Sequence, residues 1–63
     1  MTTGELQQQL FKAIKNKAGE NLLLADEVAK LLDISVDSAY RRIRGEKTVS
    51  LDELYTLCIH YKI

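Results

Sequence analysis

Asp37, Arg41 and Arg44 are the residues of this 63-residue chain whose types and spacing best suit them to act together. At about 100° per residue of α-helix they fall near 100°, 140° and 80° around from Val36, so they share one strip. A guanidinium can donate two parallel hydrogen bonds to the O6 and N7 edge of guanine, and a carboxylate can accept from the amino group of cytosine. The strip therefore has the chemistry of a base reader. Each good bidentate contact would contribute roughly 1–3 kcal/mol of discrimination between bases. Asp37 and Arg41 are also four apart, the spacing of a simple ion pair along one helix face. Tyr40 sits at the border of the strip, where packing into the core and contact with a ligand are both open to it.

Such a strip needs a helix held at both ends. Ser35 is a good N-cap, because its hydroxyl can accept a bond from a first-turn amide that otherwise has no partner. A helix is predicted over 36–44, stopped by Gly45, with Val36, Ala39 and Ile43 as its buried stripe and Arg42 and Arg44 in a last turn that favours cations. Upstream, Val28, Leu31 and Leu32 predict a helix over 25–32, opened by Asp26 and Glu27 at its positive end. Only Asp33, Ile34 and Ser35 separate the two helices, the connection length of a helix-turn-helix.

Two further helices frame this pair. Leu6, Leu10 and Ile14, with Phe11 and Ala13 beside them, form an apolar stripe, and Gln7, Gln8, Lys12 and Lys15 lie opposite. Thr2 and Glu5 resemble a capping box, so a helix over 4–17 is predicted, closed by Gly19 as a left-handed cap. Residues 20–24 fit either a helical extension or a loop that plugs the core. Ser50 and Glu53 form a second capping box, opening a helix over 51–61 with Leu51, Leu54, Tyr55, Cys58 and Ile59 on its apolar side. Cys58 reads as a small core residue.

Composition bounds the rest. A chain of this length makes one domain and buries only about 60% of the surface its unfolded state exposes. With 46% hydrophobic and 29% charged residues, it has the makeup of an ordinary folded protein. One cysteine cannot form an internal disulfide, and with one histidine it cannot build a structural zinc site. His60 has no neighbouring ligand or nucleophile in sequence and reads as a surface residue. No metal, cofactor or membrane span is expected. Nor is catalysis, since paired carboxylates, an activated nucleophile and a glycine-rich phosphate loop are all missing from the sequence. The start lacks a signal-peptide pattern, so a cytoplasmic setting is expected, and the end at Ile63, directly after a helix, suggests a piece of a longer protein. The formal charge is zero, but it is unevenly spread. Glu20, Asp26, Glu27 and Asp33 outweigh Lys30 in one stretch, whereas Arg41, Arg42, Arg44 and Lys47 outweigh Glu46 in the next.

The stretch from Val28 to Gly45, VAKLLDISVDSAYRRIRG, resembles without gaps the helix-turn-helix of the lambda-repressor and Cro-like regulators of bacteria and phages. The resemblance rests on Ala29, on Ile34 and Ser35 at the turn, and on Arg41, Arg44 and Gly45. It continues through Ser50-Leu51-Asp52-Glu53-Leu54, similar to the opening of that family's fourth helix. It implies an all-α bundle of four to five helices containing a helix-turn-helix. It further implies that Ser35, Asp37, Tyr40, Arg41 and Arg44 approach bases or nearby phosphates, and that Lys47 and Thr48 touch the DNA backbone. Four positions depart from the family pattern: Asp33 for a turn glycine, Ala25 for a capping hydroxyl, Asp26 for a polar contact residue, and Arg42-Ile43 for a tryptophan and a glutamate. Aspartate tolerates the left-handed backbone a turn glycine would adopt.

The expected function is thus a sequence-specific transcriptional regulator, or its DNA-binding domain, acting on double-stranded DNA as a homodimer. A helical protein-interaction module, adaptor or antitoxin-like, is the alternative on the same fold.

Overall fold

The computed structural model describes residues 2–19 and 23–63, and among these all regular structure is helical. Four helices follow in order: α1 (Thr3–Ala18), α2 (Leu24–Leu32), α3 (Val36–Ile43) and α4 (Leu51–Tyr61). Their starts are set by local chemistry. The hydroxyls of Thr2, Ser35 and Ser50 accept the backbone N–H of Glu5, Ser38 and Glu53, at 3.1, 3.1 and 3.2 Å. The Ser50 box is complete, because Glu53 Oε1 accepts the Ser50 N–H at 3.1 Å. α2 begins after Leu23 with no side-chain cap. Of the 20–24 stretch, residues 20–22 lie outside the described residues, Leu23 is exposed, and Leu24 opens α2 half-buried.

The helix ends are equally local. Asp33 adopts the left-handed conformation (φ 55°, ψ 50°) and turns the chain between α2 and α3 in three residues. Gly45 takes φ 82° after α3. Gly19 has a positive φ of 93° with ψ 161°, an extended glycine conformation rather than the left-handed helical cap its position predicts.

Phe11 and Ile14 of α1, Val28 of α2 and Leu57 of α4 are the largest fully buried side chains, each contributing about 1.5–3 kcal/mol by leaving water. Ala25, Ala29, Ala39 and Tyr61 complete the core, and the alanines let α2 and α3 approach closely. Among the described residues, no helix is long and apolar enough to cross a membrane.

Three predicted faces are rotated. On α1, Gln7 is buried while Leu6 is 58% exposed and Ala13 is exposed. Gln7 is drawn inward by backbone groups of a distant loop, and Leu6 is left over. On α3, Ala39 is buried and Ile43 half-buried, but Val36 is exposed and Arg42 takes the inward place. On α4, Leu57 and Tyr61 face the core, so Leu51, Tyr55 and Ile59 point outward, and Cys58 is only half-buried. α4 carries two apolar rows, and packing against α1 and α2 selects one of them.

Candidate nucleic-acid interface

α3 stands with its inner side on the core and its outer side exposed among the described residues. Asp37, Tyr40, Arg41 and Arg44 are all exposed there. The inward rotation of Arg42 leaves this outer strip where the helical spacing predicts it. Tyr40 is 48% exposed, which resolves its position in favour of the surface.

The charges on the strip are met by carboxylates. Arg41 Nε lies 3.3 Å from Asp37 Oδ2, the ion pair that their spacing allows. Arg44 is held more tightly. Its Nε donates to Glu46 Oε2 at 2.6 Å, and its Nη2 lies 3.5 Å from Oε1. Glu46 in turn keeps the Arg44 proton more firmly bound than usual, and Arg44 holds the Glu46 carboxyl below the ordinary carboxylate range, in both cases first through their hydrogen bond. Both groups are exposed, so water and salt weaken this attraction.

The end of α3 is positioned from α1. Gln7 is 6% exposed, and its Nε2 donates to the carbonyls of Arg42 (3.0 Å) and Lys47 (2.9 Å) while its Oε1 accepts the Val49 N–H (2.7 Å). Gln8 Nε2 donates to the Arg44 carbonyl at 2.8 Å. These bonds pair backbone groups that a turn would otherwise leave unmatched. Gly45 lies against the backbone of Gly4 so closely that a Cβ built on it would be 2.8 Å from the Gly4 carbonyl oxygen.

Arg42 is withdrawn from the surface. Its Nε and Nη2 donate to Glu53 Oε1 and Oε2, both at 3.0 Å, and its Nη1 donates to the Ser38 carbonyl at 3.1 Å. Arg42 and the Ser50 N–H together hold the Glu53 carboxyl below its usual range, the arginine bond being the larger cause. The basic end predicted from Arg41, Arg42, Arg44 and Lys47 thus loses one of its four cations to the interior. The described face carries Arg41, Arg44 and Lys47 against Asp37 and Glu46.

All seven predicted site residues are exposed, but they do not form one group. Arg41, Lys47 and Thr48 line an open hollow together with Glu46. Ser35 caps the other end of α3, where its hydroxyl is committed to Ser38, and it borders a hollow with Asp26, Lys30 and Asp33. Sequence reasoning passed over Gln7, Gln8 and the pairing role of Glu46. Glu46 carries a signal, being the one acid inside the basic stretch. The two glutamines carry none, since their partners lie 35–42 residues away.

A third hollow, of about 480 Å³, opens between α1 and the start of α4 and is apolar, walled by Leu6, Leu10, Val49 and Leu54. No protein-family model matches the chain, and neither a curated protein nor a solved structure does.

Proposed function

We propose that the chain is the helix-turn-helix DNA-binding domain of a transcriptional regulator, with α3 entering the major groove of double-stranded DNA. The observation that carries this reading is the exposed strip of Asp37, Arg41 and Arg44 on a short helix that follows α2 after a three-residue turn. Two guanidinium forks and one carboxylate at successive turns match base edges rather than a smooth protein surface. Lys47 and Thr48, exposed in the loop after α3, would meet the flanking phosphates. The resemblance of residues 28–45 to the lambda-repressor and Cro-like regulators supports the same reading. With a formal charge of zero, one copy holds DNA weakly, and two copies on half-sites about one helical turn apart supply the affinity. Such a regulator works in the cytoplasm of a bacterium, or of the host of a phage.

Arg41→Ala and Arg44→Ala test the reading face. Each should weaken binding to a duplex selected from a random library at least fivefold while leaving the far-ultraviolet circular dichroism unchanged. Parent-like binding by both variants would sink the assignment. A second reading, a protein-interaction module, is favoured by the outward Leu6, Leu51, Tyr55 and Ile59. Salt separates the two, because binding through phosphates falls steeply as salt rises and docking through leucines does not.

A further inference from the structure

Resting on the DNA-reading function above, we propose that Glu46 sets the base specificity of the domain by orienting Arg44 toward one guanine and holding it off the phosphates.

An arginine has five N–H donors in a rigid fork. Glu46 occupies the side edge of that fork in Arg44, at Nε and the near side of Nη2. The end edge, made by Nη1 and the outer N–H of Nη2, has no hydrogen-bond partner among the described residues. That end edge can donate two parallel bonds to guanine O6 and N7. A guanidinium held by its side edge has fewer rotamers to lose when its end edge binds, so it discriminates more sharply than a free one.

Both members of the pair are anchored at the backbone, which sets them apart from two mobile surface side chains. The left-handed turn at Gly45 brings Glu46 back beside Arg44, and the Glu46 N–H donates to the Arg41 carbonyl at 2.8 Å. The Arg44 carbonyl is held by Gln8. The carboxylate also meets the charge that would otherwise draw Arg44 to any phosphate, and it repels phosphates itself. Non-specific affinity therefore falls while the base contact is kept. Arg41 differs, since Asp37 meets it at one longer contact of 3.3 Å. It is therefore less firmly held before it meets a base.

The test is selection from a random duplex library followed by competition binding, using the whole chain and the variants Arg44→Ala, Glu46→Gln and Glu5→Gln. Glu46→Gln keeps the side chain's size but removes its charge and one accepting oxygen. Glu5→Gln makes the same charge change on the exposed first turn of α1. Arg44→Ala should abolish preference at one guanine. Glu46→Gln should relax that same position about tenfold. It should also tighten binding to unrelated duplex and steepen the salt dependence by about one phosphate contact. Glu5→Gln should leave the base preference as in the parent. The proposal is overturned if Glu46→Gln keeps the parent's preference, or relaxes every position equally. If the parent itself selects no sequence, the DNA-reading function falls first and this proposal with it, a result visible before any variant is made.

Discussion

Arg42 and Glu53 face each other across the junction of α3 and α4 through two parallel hydrogen bonds, with the guanidinium side chain 8% exposed and the carboxylate 19%. This pair ties the inner side of α3 to the first turn of α4, whose N-cap the same carboxylate completes. Glu53→Ala strands a nearly buried cation whose remaining partner is the Ser38 carbonyl, and it should cost about 3 kcal/mol of stability. Arg42→Ala should cost a similar amount. Urea denaturation of both single variants and the double variant should return a coupling above about 1 kcal/mol. Strict additivity would mean that the pair holds nothing together.

The same bond sets an acid limit. The folded carboxyl of Glu53 titrates below its unfolded value, so its contribution is complete above the unfolded pKa of about 4.3 and is lost as pH falls through the lower folded value. Stability measured between pH 7 and pH 2 should stay level to about pH 5 and then decline. Glu53→Gln should be less stable at neutral pH and should decline less on acidification.

Tyr61 sets an alkaline limit. Its hydroxyl donates to Glu27 Oε1, and burial, first, with that carboxylate, second, pushes its pKa well above the ordinary value. The unfolded chain then releases this proton at lower pH than the folded one. Stability is complete below about pH 10, the unfolded value, and is lost as pH rises toward the folded one. A spectrophotometric titration should show one tyrosine ionising later than free tyrosine, and Tyr61→Phe should remove that late step. Its survival in Tyr61→Phe would reassign the late step to another tyrosine.

Gly45 and Gly19 both have positive φ, at 82° and 93°, but only Gly45 is crowded, with Gly4 backbone atoms at 2.8–3.2 Å from a built Cβ. Gly19→Ala meets backbone strain alone, about 1–3 kcal/mol, because its φ 93° and ψ 161° lie in a region that is essentially glycine's own. Gly45→Ala meets strain and a backbone collision together and should cost more, at least about 3 kcal/mol. Thermal unfolding of the two variants should preserve that order.

Gln7→Leu removes three hydrogen bonds from a buried side chain and leaves two carbonyls and one N–H to find other partners. A loss of about 2–3 kcal/mol is expected. Amide hydrogen exchange should report it locally, with Val49 exchanging much faster than in the parent. Unchanged protection at Val49 would show that another group holds that amide.

What was legible in the sequence is what neighbours decide. The caps at Thr2, Ser35 and Ser50, the left-handed Asp33 and the stop at Gly45 each depend on residues within one helical turn, and all lie where their types predict. The exposed strip of α3 follows from spacing alone. The inward faces were less legible, because they depend on partners far along the chain. Gln7 is buried by carbonyls near Lys47, and Arg42 by Glu53. Nothing local separates the inward row of α4, Leu57 and Tyr61, from the outward row of Leu51, Tyr55 and Ile59, since both are apolar. Only the placement of α1 and α2 decides between them.

On the proposed function, the pairing of Arg44 with Glu46 and of Arg41 with Asp37 would also shape how the domain meets a polyanion. A cation beside its counter-charge presents a dipole, whose field fades with distance faster than that of a lone charge. With Lys47 as its one net charge, the face therefore exerts little pull from beyond a Debye length, about 8 Å in physiological salt. Encounters are then governed by diffusion and orientation, nearer the unsteered 10⁵–10⁶ M⁻¹s⁻¹ than the rates reached by strongly basic surfaces. If the proposed function holds, a domain built this way would find DNA slowly and recognise it at close range.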